Sequence, residues 1–167
     1  MKRKLAALVL ASAIPLSTLS GCEGKVEGTT SKEISVEENQ SAFDMSARDV
    51  VNSVIKQAGR NPSNLPAPIE NNTASMKSVS VTVSDGIDVQ AFAKDGLTNS
   101  AYVIMDGANA NADTDTFLEY GRAMFDLLGC GDKFKSASSE WQDAGEYRYA
   151  LYTDNTSFKI MYIIEKK

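Results

Sequence analysis

Apolar and polar positions alternate with two different periods along this chain, and the change of period marks its elements. Ala47, Val50, Val51, Val54, Ile55 and Ala58 recur at three- and four-residue steps, which places them on one stripe of a helix. Ser46 precedes the stripe as an N-cap with Asp49 three residues on, and Met45 and Val50 stand where a hydrophobic staple closes the first turn. Gly59 suits the left-handed residue that stops a helix, and Asn61-Pro62 cannot extend one. A second helical stretch runs from Phe117 to Leu128, with Phe117, Leu118, Gly121, Met124, Phe125 and Leu128 as its buried set. Thr116 and Glu119 form a capping box ahead of it, and Gly129 ends it.

Between and after these stretches the period drops to two. Val79, Val81 and Val83 alternate with Ser78, Ser80 and Thr82, and Ile87, Val89, Ala91 and Ala93 alternate with Asp88, Gln90, Phe92 and Lys94. A three-residue connection, Ser84-Asp85-Gly86, pairs Val83 with Ile87, Val81 with Val89 and Val79 with Ala91. A two-residue loop would oppose Val83 to Asp88, which rejects it. Asp95-Gly96 turns into a third strand around Ala101 to Met105. The chain closes with a hairpin in which Tyr147, Tyr149 and Leu151 share a side with Phe158, Ile160, Tyr162 and Ile164. A two-residue Asp154-Asn155 turn pairs Leu151 with Phe158, Tyr149 with Ile160 and Tyr147 with Tyr162. The order α-β-β-β-α-β-β predicts an α+β domain over residues 42–167, two helices on one face of a mostly antiparallel sheet of about five strands. Residues 60–75, with Pro62, Pro66 and Pro68, read as a long irregular loop.

The N-terminus follows neither period. Lys2, Arg3 and Lys4 precede a mostly apolar run, Leu5 to Leu16, too short to span a bilayer, which is the layout of a secretory signal. The segment ends Leu19-Ser20-Gly21-Cys22, and this order resembles the lipobox of bacterial lipoproteins. The resemblance covers the leader alone. It implies removal of residues 1–21, a thioether-linked diacylglyceryl group on Cys22 and, usually, acylation of the new amino terminus. Each buried methylene adds ~0.8 kcal/mol, so two or three chains make such an anchor effectively permanent. In enteric-type lipoproteins an Asp after the Cys favours the inner membrane, so Glu23 points to the outer membrane, facing the periplasm, if the cell has two membranes. Residues 22–41 then form the lipidated N-terminus and a solvated tether of Glu, Ser, Thr, Gly and Lys that spans ~25 Å as a flexible coil.

Composition narrows the chemistry. The chain of 167 residues contains no histidine, so no Ser-His-Asp or Cys-His relay, His-ligated metal or histidine pH switch exists. It carries 17 Lys+Arg against 22 Asp+Glu, and loss of the leader removes three basic groups and no acid, which takes the formal charge from −5 to −8. An acidic surface disfavours nucleic acid and direct docking on anionic lipid, so the lipid is expected to make the membrane contact. Lipidation of Cys22 leaves Cys130 alone, without an internal disulfide, in an apolar setting typical of a buried, inert thiol.

Motifs are few. Walker A, G-x-S-x-G and C-x-x-C patterns are absent, and Gly129-Cys130-Gly131 follows a helix rather than opening one, so it cannot cradle a phosphate. The run from Asp106 to Asp115 alternates Asn and Asp oxygens of the kind calcium takes, yet no EF-hand alignment finds Gly at its sixth position or Glu at its twelfth. Acids just before Phe117 have a simpler use at the positive end of the following helix. The neighbouring carboxylates Asp113 and Asp115, or Glu140 and Asp143, have nothing that places them in an apolar cleft. Trp141, in a polar loop, suits a cap on the sheet edge or a partner contact.

These features exclude more than they select. They lead to a lipid-anchored cell-envelope protein without cofactor or metal, a non-catalytic binding or accessory module with an envelope protein as partner. Inhibitor, immunity, exclusion and assembly roles fit alike, and the alternative is a histidine-free envelope hydrolase using Asp or Glu. If both helices cover one face of the sheet, the other carries Phe92, Arg148, Tyr152, Lys159, Met161 and Ile163, more apolar than an idle solvated face. These six residues are the candidate protein-binding set, unless loop 60–75 folds over them as a second small core.

Overall fold

In the computed structural model, which describes residues 42–167, Ser46 caps helix α1 (Ala47–Gln57) by accepting the Asp49 N–H on its Oγ. The expected signal segment 1–21 and the expected lipidated N-terminus and tether, 22–41, lie outside the described residues. Ser46 Oγ also donates to Asp49 Oδ2 at 2.7 Å, so the cap is reciprocal. The helix ends as its sequence requires. Gly59 turns left-handed at φ +72°, its N–H reaches Lys56 O at 2.9 Å, and Arg60 N reaches Ile55 O at 3.1 Å, a Schellman stop. Helix α2 (Thr114–Leu127) stops in the same way, with Gly129 at φ +71° and Cys130 N on Phe125 O at 2.8 Å.

The start of α2 departs from the capping-box expectation. Asp113 is the cap, and it accepts both the N–H and the hydroxyl of Thr116 on its Oδ2 at 3.0 and 2.6 Å. A carboxylate receiving both groups outcompetes a box built on Thr116, so the helix begins one turn earlier. Its buried stripe takes Tyr120 and Ala123 and leaves Leu118 exposed, because Tyr120 is one turn on from Phe117 while Leu118 is turned away.

The sheet has seven strands, not about five, and every neighbouring pair is antiparallel: β1 (Ile69–Asn72), β2 (Lys77–Ser84), β3 (Ile87–Lys94), β4 (Leu97–Asp106), β5 (Gln142–Ala144), β6 (Tyr147–Asp154) and β7 (Lys159–Lys166). Their spatial order is β1-β2-β3-β4-β7-β6-β5, so α2 and the chain after it carry the polypeptide from β4 to the far edge and back. The two extra strands sit at the edges. β1 lies within the segment read as a loop, and its residues Ile-Glu-Asn-Asn carry no alternation because all four are exposed. Pairing with β2 and an ion pair between Arg48 and Glu70 at 2.6 Å hold it in place. β5 is fixed through Gln142, whose Oε1 accepts from the Tyr149 hydroxyl and whose Nε2 donates to Ser136 O.

Turn chemistry shifts two registers. Val79 pairs with Ala91 and Val81 with Val89 as expected, but Ser84 faces Ile87, so Asp85-Gly86 is a two-residue turn and Val83 is bulged. The bulge absorbs the odd residue and keeps Ile87 in the core. At Asp95-Gly96 both residues have positive φ, +54° and +86°, the I′ geometry that suits a right-twisted hairpin. In the last hairpin Asp154 pairs with Lys159, leaving a four-residue loop in place of the two-residue turn. Asp154 accepts Thr156 N at 2.9 Å and the Ser157 hydroxyl at 2.6 Å, which ties the loop up locally. Partners therefore slide by four residues, Leu151 to Tyr162 and Tyr149 to Ile164, and an even shift leaves each side chain on its expected face. Phe158 is the exception: it lies in the loop, exposed, instead of in the core.

Both helices cover the face that presents Val79, Val81, Val89, Ala91, Val103, Tyr149, Tyr162 and Ile164, and one buried cluster joins them. Gly121 lets α2 lie close against the sheet: an added Cβ there would stand 2.6 Å from the Tyr162 ring. Gly121→Ala should therefore destabilise the protein by about 1–3 kcal/mol despite the better helix propensity of alanine, since a ring stacked on Phe117 at 5.0 Å has little room to yield. Chemical denaturation of the purified variant measures this, and a stabilised variant would show that α2 does not sit this close.

Candidate functional site

The face of the sheet away from the helices carries no element of the fold among the described residues. Strand pairing sets its side chains in rows. One row runs Gln90, Tyr102, Ile163, Ala150; the next runs Asp88, Ile104, Met161, Tyr152. A third runs Phe92, Ser100, Glu165, Arg148, and a fourth holds Asp106, Lys159 and Asp154. All six candidate residues, Phe92, Arg148, Tyr152, Lys159, Met161 and Ile163, fall on this face. They do not play equal parts. Tyr152 is 47% exposed, whereas Ile163 is 7% exposed and serves as the floor beneath its neighbours. Lys159 stands opposite Asp154 and Asp106, at the end of the face away from Arg148.

Two residues that the sequence left out, Tyr102 and Ile104, and one that it placed in a polar loop, Trp141, complete the surface. Tyr102 and Ile104 come from β4, whose phase is defined only by pairing with β3 and β7; once Ala101, Val103 and Met105 face the helices, the intervening residues must face outward. Phe92 meets Tyr102 edge-on at 5.2 Å between ring centroids. Trp141, from the loop before β5, lies under the Arg148 guanidinium, 4.6 Å from its ring centroid. The indole remains 46% exposed, so the edge-cap and contact readings meet in one residue.

Charge on the face is organised around Glu165. Arg148 donates from Nε and Nη2 to Glu165 Oε2 at 3.0 and 2.6 Å, and the Tyr102 hydroxyl donates to Oε1 at 3.4 Å. Burial pushes the Tyr102 phenol above its usual value, and it stays protonated and a donor. Met76, Phe92, Asn99, Ser100, Tyr102, Glu165 and Lys166 line a shallow depression of about 270 Å³ here. It offers one carboxylate, and that carboxylate is held by arginine.

The segment read as a loop does not fold over this face. Leu65 packs against the helix-side core and residues 69–72 extend the sheet edgewise.

Several carboxyl groups elsewhere are occupied by local structure. Asp106 Oδ1 accepts from Ala108 N and Asn109 Oδ1 from Asn111 N, so the Asn/Asp run is spent on turns and on the α2 cap. Hydrogen bonds from Thr116, Lys133 and Ser157 hold Asp113, Asp132 and Asp154 below the ordinary carboxylate range. A general acid needs the opposite displacement. Among the described residues no group of three or more His, Cys, Asp or Glu side chains could hold a metal ion. Cys130 is buried against the end of α2, and burial raises its thiol pKa, which makes it a poor nucleophile.

Comparison of the chain with protein-family models, with curated proteins and with solved structures finds no match.

Proposed function

We propose that this chain is a lipid-anchored cell-envelope protein, a non-catalytic binding or accessory module that takes a protein partner on its open sheet face. The observation that carries this reading is an uncovered apolar surface on β4, β7 and β6, formed by Tyr102, Ile104, Met161 and Tyr152, bordered by Trp141 and rimmed by Arg148 and Lys159. A solvated face has no use for a tyrosine, a tryptophan and an arginine placed together, while interfaces are enriched in all three. The sheet edges are poor alternatives. β1 is four residues long and follows Pro66 and Pro68, and β5 is three residues long, so neither can template a strand from another chain. The lipobox resemblance supplies the location: an anchor at Cys22 and a tether entering the domain at residue 42.

Tyr152→Ser combined with Met161→Ser tests the surface. Tyr152 is half-exposed and Met161 is partly buried, so the double variant should lose about 1–2 kcal/mol of stability and remain folded. Affinity purification of the tagged lipoprotein from its own membranes should yield a stoichiometric partner that the double variant fails to retain. Unfolding of the variant, or retention of the partner by it, would remove the face from consideration.

A further inference from the structure

The end of the sheet away from Met45 and Thr98 brings together the β2–β3 turn, the segment between β4 and α2 and the β6–β7 loop. Gly107 N donates to Phe158 O at 2.7 Å, and Asp106 N donates to Gly86 O at 2.8 Å. A Cβ on Gly86 would lie 2.9 Å from Asn109 Nδ2, so these segments are packed together and not splayed. The chain joins the other end, where Thr98 N and Oγ1 both donate to Met45 O at the start of β4. Eight residues of β4 separate Thr98 from Asp106, roughly 26 Å at the rise of a strand.

Phe158 is misplaced for any purpose of the fold. It closes the β6–β7 loop at φ +53°, a left-handed conformation in which Gly or Asn is at home and a bulky residue is strained. The residue is 65% exposed, more than any other large apolar residue among the described residues. Strain without burial stabilises nothing in the folded domain, and outliers of this kind gather at functional positions. On the open face the charge around it is mainly acidic. Asp85, Asp106 and Asp154 come with the three segments, with Asp88 beside them on the open face. Lys159, paired across the strands with Asp106 and Asp154, is a cation on the sheet side, and Lys56 and Arg60 stand at the C-terminal end of α1, on the helix side.

We infer that Phe158 is an anchor for the partner protein, inserted into an apolar pocket whose rim carries Lys or Arg side chains. This deepens the proposed binding role and rests on it. A buried aromatic supplies the contact energy, and the surrounding carboxylates set the sign of the partner surface and speed the encounter. The loop lies at the end of the same hairpin that carries Tyr152 and Met161, so one partner can engage the tip and the open face together.

The test places the photo-crosslinker p-benzoylphenylalanine at Phe158 in the full-length lipoprotein, in its own cells, with Leu118 on the exposed side of α2 as the control position. The proposal expects a discrete protein adduct from position 158 and none from 118, with the crosslinked peptide in an apolar segment flanked by Lys or Arg. Adduct yield from isolated membranes should fall several-fold when salt brings the Debye length to about 3 Å. Phe158→Asn should lose the partner at least about tenfold, as expected of an aromatic hot spot. Asn tolerates positive φ, so its melting temperature should be unchanged or raised by about 2–4 °C. No adduct, an adduct on an acidic segment or on lipid, or a lowered melting temperature for Phe158→Asn overturns the inference. A crosslinker at Tyr152 separates the two readings: an adduct there and none at Phe158 leaves the open face standing and removes the tip, and silence at both removes both.

Discussion

Phe125→Ala should cost about 3–5 kcal/mol, a large share of the 5–15 kcal/mol that holds a domain of this size together. Phe125 is fully buried and sits at the meeting point of α2, the chain after it and the sheet. Its ring meets Phe134, Tyr149 and Tyr162 edge-on at centroid distances of 5.6, 5.5 and 5.8 Å. Edge-to-face pairs add to the transfer free energy of the ring, and truncation loses all of them together while leaving a cavity walled by stiff aromatic groups that cannot collapse into it. Five residues along, Cys130 is buried as well but contributes one sulfur, and Cys130→Ala should cost about 1 kcal/mol or less. Urea denaturation of the two variants checks the contrast. A tolerated Phe125→Ala beside a disruptive Cys130→Ala would mean that α2 faces the sheet the other way.

Replacing Cys22 by serine should abolish lipid attachment outright. A serine hydroxyl cannot form the thioether, so the precursor should stay uncleaved and take up no radioactive palmitate. The readout must be the label and the mass, not membrane fractionation, because an uncleaved leader would itself hold the chain on the membrane through Leu5 to Leu16. The expected loss is large: one acyl chain binds with K ~10⁴ M⁻¹, and every methylene that a further chain buries adds ~0.8 kcal/mol. A wild-type chain that takes no palmitate would end the lipoprotein reading and leave the open-face and tip proposals to their own tests.

The six candidate residues were legible as a set because strand alternation needs no partner to assign a face. Phe92, Arg148, Tyr152, Lys159, Met161 and Ile163 have the parity opposite to the core residues of their strands, and no even register shift changes that. How much of each residue is presented was not legible. Ile163 is covered because Tyr102 and Ala150 flank it in neighbouring strands, and neither neighbour follows from the local pattern of β7.

Local sequence by itself determined both helices and their stops, the pairing of Val79 with Ala91 and Val81 with Val89, and the α+β class. Each of these depends on residues within a few positions of one another: a cap, a glycine, an alternation. Tertiary structure decided the rest. The edge strands exist only because β2 and β6 lend them hydrogen bonds, since Ile69–Asn72 and Gln142–Ala144 carry no pattern of their own. Two boundaries turned on local competition instead: the cap of α2 went to Asp113 and the last turn lengthened around Asp154, because a carboxylate that gathers two donors beats the turn or box a motif suggests. That choice moved Phe158 out of the core and onto the tip. Periodicity reports which side of an element is apolar; only the assembled sheet decides which apolar side chains are left for another molecule.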